Sequence, residues 1–148
     1  TRTGSPLALL IMDLDHFKQV NDRYGHPTGD QVLRDVSTLF RERLRGIDIL
    51  ARLGGEEFAV LLLDGGEKAA RKVAENLVSA TREHAFVATD GTEIGPLTMS
   101  IGYALFPDNA EDPSQLMARA DEALYTAKEH GRDQVRAWQA PDSDTAAS

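Results

Sequence analysis

Leu7-Ala8-Leu9-Leu10-Ile11-Met12 is an unbroken apolar run that stops abruptly at Asp13-Leu14-Asp15. A run this short and this uniformly apolar reads as a strand buried on both faces. Such a strand belongs in the middle of a sheet covered by helices, and its acidic end belongs at the sheet's rim. Composition permits this. The chain has 148 residues, of which 41% are hydrophobic and 27% charged. That suits a single domain able to bury roughly two-thirds of its unfolded surface. Sixteen Lys and Arg against 24 Asp and Glu leave a net charge of −8. That balance disfavours a nucleic-acid coat or an anionic membrane surface as partner, since both reward clustered cations. With no Cys there is no disulfide, thiolate nucleophile or Cys-ligated metal, as fits a reducing compartment. No apolar run approaches the roughly 20 residues of a spanning helix, and no signal peptide opens the chain. A soluble, cytoplasmic domain is expected.

Beyond the first strand, Val20 to His26 reads as a short polar helix and turn. After Pro27-Thr28-Gly29 a second helix places Val32, Leu33, Val36, Leu39 and Phe40 on one face. Ile47–Leu53 and Phe58–Leu63 are short apolar stretches around Gly54-Gly55-Glu56-Glu57, a tight-hairpin signal. Glu67 to about Glu83 is helical, with Val73 and Leu77 on one face, and Asp90-Gly91 marks a turn. Leu97, Met99, Ile101, Tyr103 and Leu105 alternate with smaller residues, the period of a half-buried strand. Pro113-Ser114 opens a last helix with Leu116, Ala120, Leu124 and Ala127 on one face, and Gly131 stops it. Gln134–Trp138 is a candidate final strand with Trp138 as a packing residue. The order β-α-α-β-β-α-β-α-β predicts an α+β fold, a mixed five-stranded sheet flanked by helices. Residues 7–138 form the domain, 1–6 a linker or fragment start, and 139–148 a disordered tail.

Asp13 and Glu56 are hard carboxylate ligands of the kind Mg²⁺ takes, completed by water and phosphate oxygens. Taken singly, Asp13 is equally explained as a strand end and Glu56 as a solvated turn. Asp30 is equally an acid in the first turn of a helix. Lys128 and Arg132 are cations near a helix C-terminus, and Arg45 and Asp48 a surface ion pair. His16, His26, His84 and His130 lack metal-ligand spacing, and no Ser or Thr forms a nucleophile arrangement.

The series as a whole carries more. Asp13-Leu14-Asp15-His16-Phe17-Lys18, Asn21-Asp22, Tyr24-Gly25-His26, Gly29-Asp30 and Arg52-Leu53-Gly54-Gly55-Glu56-Glu57-Phe58 follow in order. Ser100-Ile101-Gly102, Arg119 through Lys128, and Gly131-Arg132 complete it. This set closely resembles the GGDEF family of diguanylate cyclases, here with a GGEEF hairpin, over about Leu7 to Trp138.

The resemblance implies a largely antiparallel, nucleotide-cyclase or palm-like sheet and a reaction in which two GTP condense to cyclic di-GMP, releasing two pyrophosphates. It implies Mg²⁺ or Mn²⁺, two per site, held by Asp13, Glu56 and the Leu14 main-chain carbonyl, with Glu56, Glu57 and Asp13 catalytic. It implies guanine reading by Asn21 and Asp30. Phosphate contacts fall to Lys18, Gly54, Gly55, Lys128, Arg132 and the main-chain N–H groups of His16 and Phe17. Arg45-Gly46-Ile47-Asp48 stands where the family keeps its RxxD product-inhibition site. Catalysis would require a homodimer of half-sites, weakly formed by this domain alone, with no nucleic-acid or membrane contact.

Two departures stand out. The family often has an Arg where Asn76 stands, so inhibition is expected to be weaker or completed by another surface. The D-x-L-T-G-L-like segment before the first strand is lacking, which reads as a fragment without that segment or an upstream sensor. The alternative reading is a catalytically silent module that binds GTP or cyclic di-GMP as an effector. A pure assembly domain is a third, and it would be indifferent to Glu56→Ala.

Overall fold

Strand β1 (Leu7–Leu14) forms the centre of a five-stranded sheet in the computed structural model, which describes residues 6–140. Its residues alternate between two cores. Ala8, Leu10, Met12 and Leu14 face the larger one, while Ile11, with Leu9 beside it, faces the smaller. Burial on both faces is thus what the apolar run predicts.

Helices α1 (Phe17–Tyr24) and α2 (His26–Arg41) follow, then the hairpin of β2 (Ile49–Gly54) and β3 (Glu57–Leu63). Helix α3 (Glu67–Glu83) leads to a small hairpin, β4 (Phe86–Val87) and β5 (Glu93–Gly95). Strand β6 (Met99–Phe106), helix α4 (Pro113–Glu129) and strand β7 (Val135–Ala137) complete the described chain. The sheet order is β2-β3-β1-β6-β7, antiparallel except for β6 with β7. Apolar faces of α2 and α3 cover the large core and α4 covers the small one. Gly102 lets α4 sit close, because a Cβ there would lie 2.0 Å from the Leu124 nitrogen.

Several expectations need correction. Helix α1 begins at Phe17 rather than Val20, because His16 takes a left-handed conformation (φ 59°) that turns the chain straight from strand into helix. Helix α2 begins at His26, with Pro27 in its first turn, a position where proline's missing N–H costs nothing. Strand β6 is buried on both faces, not one, since Ser100, Gly102 and Ala104 are small enough to lie under α4. Within the Ile47–Leu53 stretch the strand begins only at Ile49, and as β2 lies at the sheet edge, Ile47, Ile49 and Leu53 are about half exposed. The β4–β5 hairpin adds a second sheet around the expected Asp90-Gly91 turn. Of the expected tail, Gln139 and Ala140 are exposed; the rest, like most of the expected start segment, lies outside the described residues. No helix among the described residues is long and apolar enough to cross a membrane.

Candidate functional site

The site gathers where β1, the β2–β3 hairpin and the end of α4 meet. Register pairs Asp13 with Glu57 on one side and with Ser100 on the other. Gly54 and Glu57 close the hairpin across a two-residue turn, Gly55-Glu56, with φ of 150° at Gly54 and 48° at Gly55. Those angles are why both positions are glycine, and apart from the adjoining residues nothing lies within 4 Å of where a Cβ would stand at either. The Leu14 N–H donates to the Glu56 carbonyl at 3.3 Å, which fixes the hairpin tip against the strand end. A cleft of about 260 Å³ results, lined by residues 13–19, Glu56, Lys128 and Arg132.

Charge in this cleft is crowded. Lys128, half-buried on α4, pairs with one oxygen of Asp13, whose side chain is 14% exposed. Burial above all pushes the Asp13 carboxyl above its ordinary value, Lys128 pulls it down, and Glu56 and Asp15 push it up. Glu57 is also raised, first by burial and then by Asp121 and Asp13. The second Asp13 oxygen, Oδ1, is buried without a hydrogen-bond partner. An orphaned, charged oxygen is costly in a low-dielectric setting, and a cation relieves that cost. Asp13, Leu14 and Glu56 all line this cleft, and carboxylate and carbonyl oxygens are the donors a hard divalent ion accepts. Two carboxylates suffice for such an ion when phosphates complete the shell, and no larger cluster of metal-binding side chains occurs among the described residues.

Cations and N–H donors surround the same space. The first-turn N–H groups of α1 lack intrahelical acceptors, so residues 16 and 17 present donors beside the cleft. Lys18 is 88% exposed and pairs with Asp22 at 3.0 Å, a pairing easily exchanged. Arg132 is exposed on a turn directly after α4.

Asn21 and Asp30 do not line this cleft; Asn21, one helical turn past Lys18, faces Gly29 of α2, and Asp30 follows that glycine. The Asn21 side chain packs directly on Gly29, where a Cβ would stand 1.8 Å from its Oδ1 and force that side chain to move. That oxygen is the other unpartnered buried side-chain atom among the described residues. Asp30 is exposed and, since α2 starts at His26, lies beyond the first turn. The dipole explanation for its acidity therefore loses its basis, because that effect fades within one turn.

Arg45 and Asp48 lie between α2 and β2, outside the cleft. Arg45 grips Asp48 through Nη2 at 2.7 Å and Nε at 3.2 Å, and its Nη2 also reaches the Leu63 carbonyl at 2.9 Å. Asn76 is exposed on α3, with Arg71 engaged by Glu67 and Glu75, and Arg82 by Asp133. Trp138 packs beside the smaller core, donates to Glu122 at 2.7 Å and stacks under Arg119.

The sequence model of the family described as Diguanylate cyclase, GGDEF domain, matches residues 1–134. The chain belongs to the GGDEF family. Diguanylate cyclase DosC of Escherichia coli strain K12 is 42% identical over 139 residues, 94% of this chain and 30% of its own length. The chain spans about a third of the length of the curated relatives it matches. Among solved structures, the GGDEF domain of PA1120 (YfiN or TpbB) from Pseudomonas aeruginosa superposes with a TM-score of 0.88. It is 38% identical, with 94% of this chain and 86% of that one covered. The GGDEF domain of DgcB from Caulobacter crescentus, solved in complex with c-di-GMP, gives 0.85 at 33% identity, covering 90% and 78%.

Two contributors to this GGDEF domain escaped sequence reasoning. Thr28, fully buried, meets Thr89 of the β4–β5 turn through its hydroxyl and so braces the start of α2. Asp15 borders the cleft but is only 4% exposed. The spacing of Asp13 and Asp15, two apart across the end of β1, is the signal that both point to one side, but it does not separate their roles.

Proposed function

We propose that this domain condenses two GTP into cyclic di-GMP and pyrophosphate, as a facing pair of domains. One observation carries the reading. The two buried side-chain atoms left without partners, Asp13 Oδ1 and Asn21 Oδ1, belong to the two groups of residues that a guanine nucleotide with its metal would engage. Asp13, Glu56 and the Leu14 carbonyl would hold Mg²⁺ or Mn²⁺, in a pair at the complete site. Bound there, the ions would neutralise charge on the triphosphate and favour in-line displacement at the α-phosphorus.

The chain's own residues do the rest. Lys18, Lys128, Arg132 and the N–H groups of residues 16 and 17 bind the phosphates; Gly54 and Gly55 leave the hairpin backbone open to them. The Asn21 carbonyl oxygen and the Asp30 carboxylate accept from guanine N1–H and N2–H₂, a donor pair that adenine lacks. Glu56 takes the proton of the attacking ribose 3′-hydroxyl, and the raised pKa of neighbouring Glu57 suits it to share that proton. One domain holds one GTP, so both bonds form only when two half-sites face each other about a twofold axis. Product returns to Arg45 and Asp48, whose guanidinium and carboxylate match guanine and phosphate edges.

Incubating the purified chain with GTP and Mg²⁺ over a range of protein concentrations tests this. Cyclic di-GMP should form at a rate rising faster than linearly with protein. No product at high protein concentration, with tight cyclic di-GMP binding, would replace the enzyme by a silent effector module.

A further inference from the structure

Asp13 lies near the end of β1 and Asp15 just past it, yet their carboxylates are used in opposite ways. Asp13 keeps one oxygen without a partner, whereas both oxygens of Asp15 are taken. Asp15 is only 4% exposed. Its Oδ2 accepts from the Thr98 hydroxyl at 2.7 Å and from the Asp133 backbone N–H at 3.1 Å. Its Oδ1 accepts from the Ser100 hydroxyl at 2.7 Å, and its own N–H donates to the Thr98 carbonyl at 2.8 Å. One buried acid thereby joins the end of β1, the start of β6 and the turn after α4.

That turn is the unusual partner. Gly131, Arg132 and Asp133 have φ of 111°, 64° and 50° in succession. Residues bearing a side chain rarely adopt such angles, and a run of them persists only where the surroundings over-determine it. The Gln134 side-chain amide donates to the Arg132 carbonyl at 3.0 Å and to the His130 carbonyl at 2.8 Å, and three further contacts hold the turn. The Arg132 N–H donates to the Ala127 carbonyl at 3.0 Å, Arg82 forks onto the Asp133 carboxylate at 3.0–3.2 Å, and Asp15 receives the Asp133 N–H. The Arg82 pair is solvent-exposed, with 45% and 34% of the two side chains accessible, and is correspondingly weak. The Asp15 contact is buried and charge-assisted, so it is the stronger restraint.

We propose that Asp15 is a positioning residue that locks the 131–133 turn and thereby fixes where the Arg132 guanidinium stands in the cleft. The residue type follows from the donors. Hydroxyls of Thr98 and Ser100 can donate or accept, but the Asp133 N–H can only donate. The Asp133 N–H therefore requires an acceptor oxygen opposite it, and a carboxylate supplies that oxygen with a charge that shortens and strengthens all three bonds. The long side chain of Arg132 is exposed and has little packing to restrain it, so its reach toward an anion depends on the backbone beneath it. The functional half of this inference rests on the cleft being a triphosphate site; the structural half does not.

Two readouts on the whole chain separate these halves. Amide hydrogen exchange is followed at Asp133, and GTP affinity is measured by calorimetry with Mg²⁺. The variants are Asp15→Ala, Asp15→Asn, Arg132→Ala and Asp15→Ala with Arg132→Ala. Exchange at Asp133 should accelerate about tenfold or more in Asp15→Ala, with a smaller rise in Asp15→Asn, which keeps one acceptor but no charge. GTP affinity should fall about fivefold or more in Asp15→Ala, and less than about twofold further once Arg132 is already alanine. Unchanged exchange at Asp133 overturns the proposal, as does an equal loss of affinity in both backgrounds, which would mean Asp15 acts elsewhere. If Asp15→Ala does not fold, Asp15→Leu, which fills the space but offers no acceptor, carries the exchange test, and wild-type exchange at Asp133 there overturns the proposal equally. A wild-type chain that binds no GTP refutes the proposed function instead, and exchange at Asp133 still decides the role of Asp15.

Discussion

The cleft and the Arg45 turn both set acids beside a cation, and they resolve that proximity differently. At the cleft, Asp13 and Glu56 share the lining with Lys128, and Glu57 stands close beside it; Asp13 and Glu57 are held above their ordinary pKa, and one buried oxygen is unpartnered. At the turn, Asp48 is answered by the Arg45 fork and by the Arg45 N–H at 2.8 Å, with its side chain 1% exposed. The first arrangement is incomplete without a further positive charge. The second is complete in itself and must open before it can hold anything else. Function at the cleft should therefore be abolished by small chemical changes, and function at the turn only modulated.

The largest effect is expected for Glu56→Ala. Glu56 sits half-buried on a turn where it supports no core, so the melting temperature should stay near wild type. Cyclic di-GMP formation should fall by about a thousandfold or more, the combined loss of a proton acceptor and a metal ligand. Retained turnover would remove the cleft from the chemistry altogether.

Asp13→Asn comes next and carries a signed stability prediction. A carboxyl whose folded pKa is raised makes the folded state bind more protons than the unfolded one between the two values. Across that window stability falls as pH rises, and above it the ionised carboxylate remains a cost to the fold. Removing the charge should leave the melting temperature at pH 7 unchanged or higher, while turnover drops by about a hundredfold or more for want of a metal ligand. Wild-type metal binding should weaken on acidification sooner than ordinary carboxylates would dictate. EDTA should likewise weaken GTP binding substantially, since a chain of net charge −8 attracts a polyanion only through local cations. A destabilised Asp13→Asn, or GTP affinity indifferent to EDTA, would contradict the contrast drawn between the two regions.

Much of the cleft was legible because its parts are contiguous in sequence. The apolar run, the acids that end it and the double-glycine turn each follow from local rules. What lay hidden depends on tertiary context. Strands of two and three residues at Phe86–Val87 and Glu93–Gly95 are too short to show a period. An apolar stretch such as Ile47–Leu53 reads the same at an edge as at a centre. Asp15 resembled Asp13 in every local respect, and only its partners 83 or more positions away distinguish it. The true start of α2 changed the meaning of Asp30 without changing its identity. Asp30→Ala should accordingly cost about tenfold or more in discrimination between GTP and ATP, measured by competition, and little in melting temperature. Equal cost for both nucleotides would assign Asp30 to something other than base reading.

The smallest effects belong to the turn, where Arg45→Ala and Arg45→Lys sharpen the comparison together. Initial turnover should be unchanged in both, because Arg45 is exposed and does not line the cleft. Product inhibition should weaken by about tenfold in Arg45→Ala, the worth of one forked contact to guanine or phosphate. Lysine keeps the charge but not the planar fork, so Arg45→Lys should recover only part of that loss. Both variants also leave Asp48 with fewer donors, so a modest drop in melting temperature should accompany the relief of inhibition. A self-satisfied pair must be opened by its ligand, so wild-type inhibition should be weaker than the contacts alone would give. Asp48→Ala decides whether that opening matters. It frees the Arg45 guanidinium but removes an acceptor for guanine N1–H and N2–H₂. If affinity for cyclic di-GMP falls, Asp48 is a ligand of the product; if it rises, the Arg45–Asp48 pair is chiefly a latch that product binding must break.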